Sequence, residues 1–259
     1  MRHRLVLASL LVLLVGARWS PPVTVYLAGD STMAAKLPEK RPETGWGEAF
    51  QPCLAAETVR VENRAKNGRS TRTFLAEGLW RGIADSLRAG DWVFIQFGHN
   101  DESTDKPDRY TPPADYRANL ARFVDETRAK GATPVLLTPV MRRRFDSTGT
   151  VRDSHGEYPD IVRAVAAERQ VALIDLHRES ARVLARYGPD SSRALFLQLA
   201  PGANANYPAG VQDNTHFSPL GARLMAGLVV DAIRRLQLPL ATLLRGCPAS
   251  GNAPQDAPR

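Results

Sequence analysis

The chain has 259 residues, 43% of them hydrophobic, and a formal net charge of +7 at pH 7. That composition suffices for one well-buried domain, and neither a repeat nor a linker divides the chain. Five histidines and two cysteines show no metal-type spacing, and no basic helix or aromatic stacking motif accompanies the positive charge, which argues against a zinc site and against nucleic acid as partner.

Met1-Arg2-His3-Arg4 is a basic start, followed by an apolar run that ends at the small residues Val15-Gly16-Ala17. Residues 1–17 read as a secretory signal peptide, too short for a comfortable membrane span. Export to the periplasm or outside the cell is therefore expected, with no stable membrane association once the segment is cleaved. Its removal takes away Arg2 and Arg4, and what remains is still basic.

Residues 23–28 form the first expected strand, and Gly29-Asp30-Ser31-Thr32 follows at once. A tight turn at a strand end is where a serine hydroxyl is exposed enough to act as a nucleophile. A helix is expected over residues 47–56 and a strand over 58–62, then the polar stretch Asn63 to Ser70 with Gly68 inside it. A helix over 73–89 leads to a strand over 92–97, followed by Gly98-His99-Asn100-Asp101. A helix over 113–130 precedes the strand 134–138, after which Arg142, Arg143 and Arg144 open a long loop, 141–159, that contains His155. A helix over 158–169, a strand over 171–174 and a helix over 176–187 come next. The long loop 189–214 leads to Asp213-Asn214-Thr215-His216, and Ser218-Pro219 is a good N-cap and first position for a last helix reaching about residue 236. Residues 18–240 thus form the domain, and the Pro-, Ala- and Gly-rich residues 241–259 read as a disordered tail. Whether Cys53 pairs with Cys247 is left open by two cysteines alone.

Near-continuous apolar strands alternating with helices predict a parallel sheet covered on both faces. Ligands of such sheets bind at the carboxyl ends of the strands. The Ser31, Gly68, Asn100 and Arg142 segments all fall on that edge, and the loop with Asp213 and His216 has only to reach it. Serine, aspartate and histidine then supply a nucleophile, an orienting carboxylate and a general base. The N–H groups of Ser31 and Gly68 and the amide of Asn100 supply three donors for an oxyanion. His99, Arg142 and His155 are candidates for substrate contact, with loop support or a structural ion pair as the competing role for each. His177 reads as structural.

With these blocks in place, the chain resembles the SGNH (GDSL-type) hydrolase superfamily, named for Ser, Gly, Asn and His in four blocks: here Ser31, Gly68, Asn100 and His216. Within it, Gly29-Asp30-Ser31-Thr32, Asn67-Gly68-Arg69-Ser70, Gln96-Phe97-Gly98-His99-Asn100-Asp101, His155-Gly156-Glu157-Tyr158-Pro159 and Asn206-Tyr207-Pro208 are similar to rhamnogalacturonan acetylesterases. The resemblance runs from about residue 23 to 236. It implies an α/β, three-layer flavodoxin-like fold with a five-stranded parallel sheet, a serine esterase that removes O-acetyl groups from a plant cell-wall polysaccharide through an acetyl-enzyme on Ser31, and no metal or organic cofactor. A basic protein suits an acidic, uronate-containing polymer or oligomer, and a monomer is expected. Trp46 and Trp80 could stack on sugar faces, though a core role is the better reading for either. Another acetylated glycan such as xylan, a lipid or a thioester is the alternative substrate. A carbohydrate-binding protein on an inactive hydrolase fold is the alternative from another class; it predicts a missing triad member, and none is missing. Because His216 must be neutral to act as base, activity should fall at acid pH. A flat rate profile between about pH 5 and 8 would count against that assignment.

Overall fold

The computed structural model describes residues 22–247. The expected signal peptide and residues 248–259 of the expected tail lie outside that range. Five strands, β1 (Val23–Gly29), β2 (Val59–Asn63), β3 (Trp92–Gln96), β4 (Thr133–Leu137) and β5 (Ala172–Ile174), form one parallel sheet in the order β2-β1-β3-β4-β5. This is the flavodoxin-like order, in which the direction of winding reverses between β1 and β3.

Alternate side chains along each strand serve opposite faces. Val25, Leu27, Trp92, Phe94, Val135 and Leu137 pack on one side against α1 (Trp46–Phe50), α6 (Leu176–Ser191) and α7 (Pro219–Arg235). Tyr26, Ala28, Val93, Ile95 and Leu136 pack on the other against α2 (Thr71–Ala76), α3 (Leu79–Ala84), α4 (Pro113–Ala129) and α5 (Tyr158–Glu168). Two buried faces explain why β1, β3 and β4 are mostly apolar, whereas the edge strand β2 carries Arg60 and Glu62. Trp46 and Trp80 are both in this core, their indole N–H groups donating to Gln96 and Glu126.

Helix bounds depart from expectation where backbone chemistry intervenes. The helix expected over 47–56 stops at Phe50 and tightens into a 3-10 turn at Gln51–Cys53, because Pro52 has no N–H to continue the ladder. The helix expected over 73–89 is two helices, broken at Gly78, which adopts φ 72°. The largest addition is a two-stranded antiparallel hairpin, β6 (Phe196–Leu199) and β7 (Val211–Phe217), in the segment expected to be loop. Its first strand, Phe-Leu-Gln-Leu, is apolar enough to read as one, but the second is mostly polar and the connection is rich in Ala, Gly, Pro and Asn, so the pairing is not evident from composition.

The expected tail requires a correction at its start. Pro239–Leu243 is a 3-10 turn with Leu240 buried, and Leu244 forms an antiparallel bridge with Leu54. Cys247 closes a disulfide with Cys53 across 194 residues. Leucines in this stretch pack on the α1–α7 side of the core, so residues 241–247 belong to the domain. A bridge closing so long a loop removes much of the unfolded chain's freedom. Cys247→Ser is expected to lower the unfolding free energy by about 3–5 kcal/mol, read from urea denaturation beside the oxidised wild type.

Candidate active site

The serine turn is built by the residue before it. Asp30 Oδ1 accepts from the Thr32 N–H at 2.9 Å and the Thr32 hydroxyl at 2.8 Å, and the Asp30 carbonyl accepts from the N–H groups of Met33 and Ala34. Gln96, the last residue of β3, donates through Nε2 to the Thr32 hydroxyl at 2.7 Å and accepts from the Trp46 indole at 2.6 Å. The turn is thereby tied to the neighbouring strand and the helix layer. Gly29 is required by this closeness: a Cβ there would lie 2.7 Å from the Gln96 carbonyl oxygen.

His216 Nε2 lies 2.8 Å from Ser31 Oγ, and its Nδ1 lies 2.7 Å from Asp213 Oδ2. Residues three apart on a flat strand point to opposite faces. Here the Asp213 Oδ1 accepts from the N–H groups of Thr215 and His216, at 2.7 and 2.9 Å, which folds the strand back on its own side chain. Burial would raise the Asp213 carboxyl, but the His216 ring and these N–H groups outweigh it and hold it at about 2. The carboxylate stays ionised, so Nδ1 carries the hydrogen and Nε2 is left to accept from the serine hydroxyl.

Around the hydroxyl stand the expected oxyanion donors. Among the described residues the N–H groups of Ser31 and Gly68 have no acceptor within the protein. Gly68 has φ 76°, a conformation that suits glycine, and a side chain there would approach Arg109. Asn100 spends one amide hydrogen on the Arg69 carbonyl at 2.9 Å and has a second to offer. All of this borders a cleft of about 390 Å3 at the carboxyl edge of the sheet, at the β1/β3 switch point. A larger concavity of about 510 Å3 lies at the opposite edge beside Val23 and Asp91, but it contains no serine–histidine pair.

Residues 27–224 match the model of the GDSL-like lipase/acylhydrolase family. The chain belongs to this family. It is 44% identical over 219 residues to the rhamnogalacturonan acetylesterase RhgT of Bacillus subtilis, covering 85% of this chain and 93% of that protein. The crystal structure of the protein YxiM of Bacillus subtilis superimposes with a TM-score of 0.72 at 26% identity, over 84% of this chain and 58% of that one. Axe2, an acetylxylan esterase from Geobacillus stearothermophilus, shares the fold at a TM-score of 0.59 and 22% identity, over 82% of this chain and 94% of that one. As a member, the chain is a carboxylic ester hydrolase with an α/β three-layer fold.

The remaining sequence candidates take different places in this acylhydrolase. His99 borders the cleft, but both its ring nitrogens are buried without a partner, and burial pushes its pKa well below the usual histidine value. Arg142 also borders the cleft, yet its guanidinium is engaged by Glu102, the Ser154 hydroxyl and the His99 carbonyl, so the structural ion pair describes it better than a free substrate anchor. His155 is a correction: it is 1% exposed, with Nδ1 2.6 Å from Glu102 Oε2, Nε2 2.8 Å from the Val140 carbonyl oxygen, and its ring edge-on to His99. It braces two loops from below and does not face the cleft. Arg143 holds the hairpin, donating to Asn214 Oδ1, the Ser192 hydroxyl and the Pro189 carbonyl. Sequence reasoning missed Lys36, Lys40, Glu43, Lys106 and Arg109, which the fold brings to the site from segments after β1 and β3. Only their position after strand ends could have drawn attention to them.

Two buried carboxylates lie under the site. Asp30 and Asp101 each have one oxygen without a partner, and desolvation raises both, Asp101 to about 7. Asp101 Oδ1 accepts from the Thr71 N–H and hydroxyl and so pins α2 beneath the Asn100 loop. The folded state keeps a proton that the unfolded chain gives up near pH 4. This contribution to stability is therefore complete below about pH 4 and is lost as pH rises through about 7. Relative to Asp101→Asn, the wild type should lose on the order of 2 kcal/mol of stability between pH 5 and pH 8, read from denaturant midpoints across that range.

Proposed function

We propose that this esterase removes O-acetyl groups from rhamnogalacturonan. The observation that carries the reading is the unbroken hydrogen-bonded chain from Asp213 through His216 to Ser31, set in a cleft lined by polar residues, Lys40, Lys106 and Arg109 among them. Ser31 Oγ attacks the acetyl carbonyl carbon while His216 Nε2 takes its proton, and Asp213 stabilises the imidazolium. The oxyanion rests on the N–H groups of Ser31 and Gly68 and the Asn100 amide. His216 then returns the proton to the departing sugar oxygen, and water, deprotonated by the same ring, releases acetate from Ser31.

The cleft supports both halves of the substrate assignment. Its walls carry no aliphatic side chain on which a long acyl group could pack, which suits an acetyl group. Lys40 and Lys106 line it and form no ion pair among the described residues, and the Arg109 guanidinium stands beside Asn100. A uronate-bearing backbone supplies carboxylates to such a surface; xylan's neutral backbone does not. The similarity to RhgT supports the same substrate. Export is part of the proposal, and a disulfide between Cys53 and Cys247 suits an oxidising compartment.

The test is acetate release from acetylated rhamnogalacturonan, with acetylated xylan as the comparator. The wild type should act faster on the first. Ser31→Ala and Asp213→Asn should each lower kcat by about 10³-fold or more. Equal release by Ser31→Ala would remove the serine as nucleophile, and preference for xylan would overturn the substrate.

A further inference from the structure

Lys36 lies five residues after the nucleophile, and its side chain is fully buried. Its ammonium group has three hydrogens and meets three acceptors: the Ser31 carbonyl oxygen, Asn67 Oδ1 at 2.9 Å and Glu43 Oε1 at 2.8 Å. Each acceptor belongs to a different part of the site. Ser31 is the nucleophile and supplies one oxyanion N–H. Asn67 immediately precedes Gly68, which supplies another. Glu43 forms part of the cleft wall.

A buried ammonium–carboxylate pair is a costly way to hold loops together, since apolar side chains of similar volume serve as well or better. What an apolar side chain cannot do is bond the nucleophile's own peptide and the oxyanion loop at once. The sheet ladder carries the β1–β2 pairing only as far as Lys66, whose N–H donates to the Gly29 carbonyl. Beyond it, the turn holding Gly68 is closed on itself by Arg69, whose N–H donates to the Lys66 carbonyl and whose guanidinium donates to the Asn67 carbonyl. It is tied to the rest of the site by the Asn100 amide on the Arg69 carbonyl and by Lys36 on Asn67. We infer that Lys36 is a positioning residue of the oxyanion hole, setting the distance between the Ser31 and Gly68 N–H groups by bridging the residues that carry or flank them. Its contribution is thus to the transition state, when the carbonyl oxygen gains charge, and not to ground-state binding of the ester.

This inference rests on the reading of Ser31 as nucleophile, and the two are separable with p-nitrophenyl acetate, a small neutral ester that needs no sugar contacts. Ser31→Ala should be inactive; if it is active, the nucleophile assignment has failed and this inference with it. With that arm secure, Lys36→Met should lower kcat by about 10–100-fold while KM stays within about twofold. The double variant Lys36→Met/Glu43→Met removes the unpaired buried carboxylate and so lowers the risk of misfolding. If it melts like the wild type and kcat remains low, the positioning role stands. If it melts like the wild type and kcat recovers, the pair is only a structural salt bridge and the inference is overturned. Lys36→Arg decides the case in which neither methionine variant folds. It keeps the charge opposite Glu43 but spreads its N–H groups in a plane, so it should fold with a reduced kcat and an unchanged KM, and full activity would sink the proposal.

Discussion

The hydrogen bond between Ser31 and His216 joins residues 185 positions apart, and the architecture is organised around making that contact reproducible. Long-range closure of this kind is entropically expensive, so both sides must be held before they meet. On the serine side the restraints are local to the sheet: the Asp30 turn, the Gln96 bridge to β3 and the Trp46 indole. On the histidine side they come from the hairpin. Phe217 is buried against Phe196, its carbonyl accepts from the Thr44 N–H, and the next residue, Ser218, caps α7. Asn206 and Tyr207 then reach from the hairpin connection to the carbonyls of Pro38, Lys40 and Arg41, so the segment after the serine and the segment before the histidine grip one another.

This division explains what the sequence made legible. The central strands were plain because burial on both faces demands apolar runs, the edge strand β2 showed through its β-branched Val59 and Val61, and the serine, glycine and asparagine blocks were plain because each follows a strand. The hairpin was hidden because its second strand is held less by apolar alternation than by specific bonds: Asp213 on its own backbone, Arg143 on Asn214, Gln198 on the Asp213 carbonyl. A polar strand looks like a loop until its partners are known. The arginines after β4 show the same limit. Arg142 could be read from its place at a strand end either as an anchor for an anionic substrate or as half of a structural ion pair, and only tertiary pairing decides: it braces the His99 loop, while Arg143 tethers the hairpin. The residues that do leave cationic groups in the cleft, Lys40 and Lys106, sit in stretches whose composition matches any solvated loop.

Charge is partitioned between the floor and the rim of the cleft. Buried carboxylates below, Asp30 and Asp101, fix backbone geometry through the N–H groups and hydroxyls they accept from, and low solvation moves them toward the neutral form. Asp213, with N–H groups and a histidine to neutralise it, moves the other way. Three aspartates within one site therefore divide into two that shape turns and one that carries charge, and hydration together with hydrogen-bond count decides which is which.

The exposure of the catalytic pair suits a sugar ester better than a lipid. The side chains of Asp213 and His216 are about one-quarter exposed, and no apolar wall closes over them. A lipid esterase would gain from an apolar cover, because burying the acyl chain supplies its binding energy. A glycan offers little apolar surface, so an open rim with cationic groups is the better solution. With weak binding of the acyl group itself, catalysis must come from the preorganised donors around the carbonyl oxygen, and the spacing of those donors becomes the property that the buried side chains beneath the cleft are placed to hold.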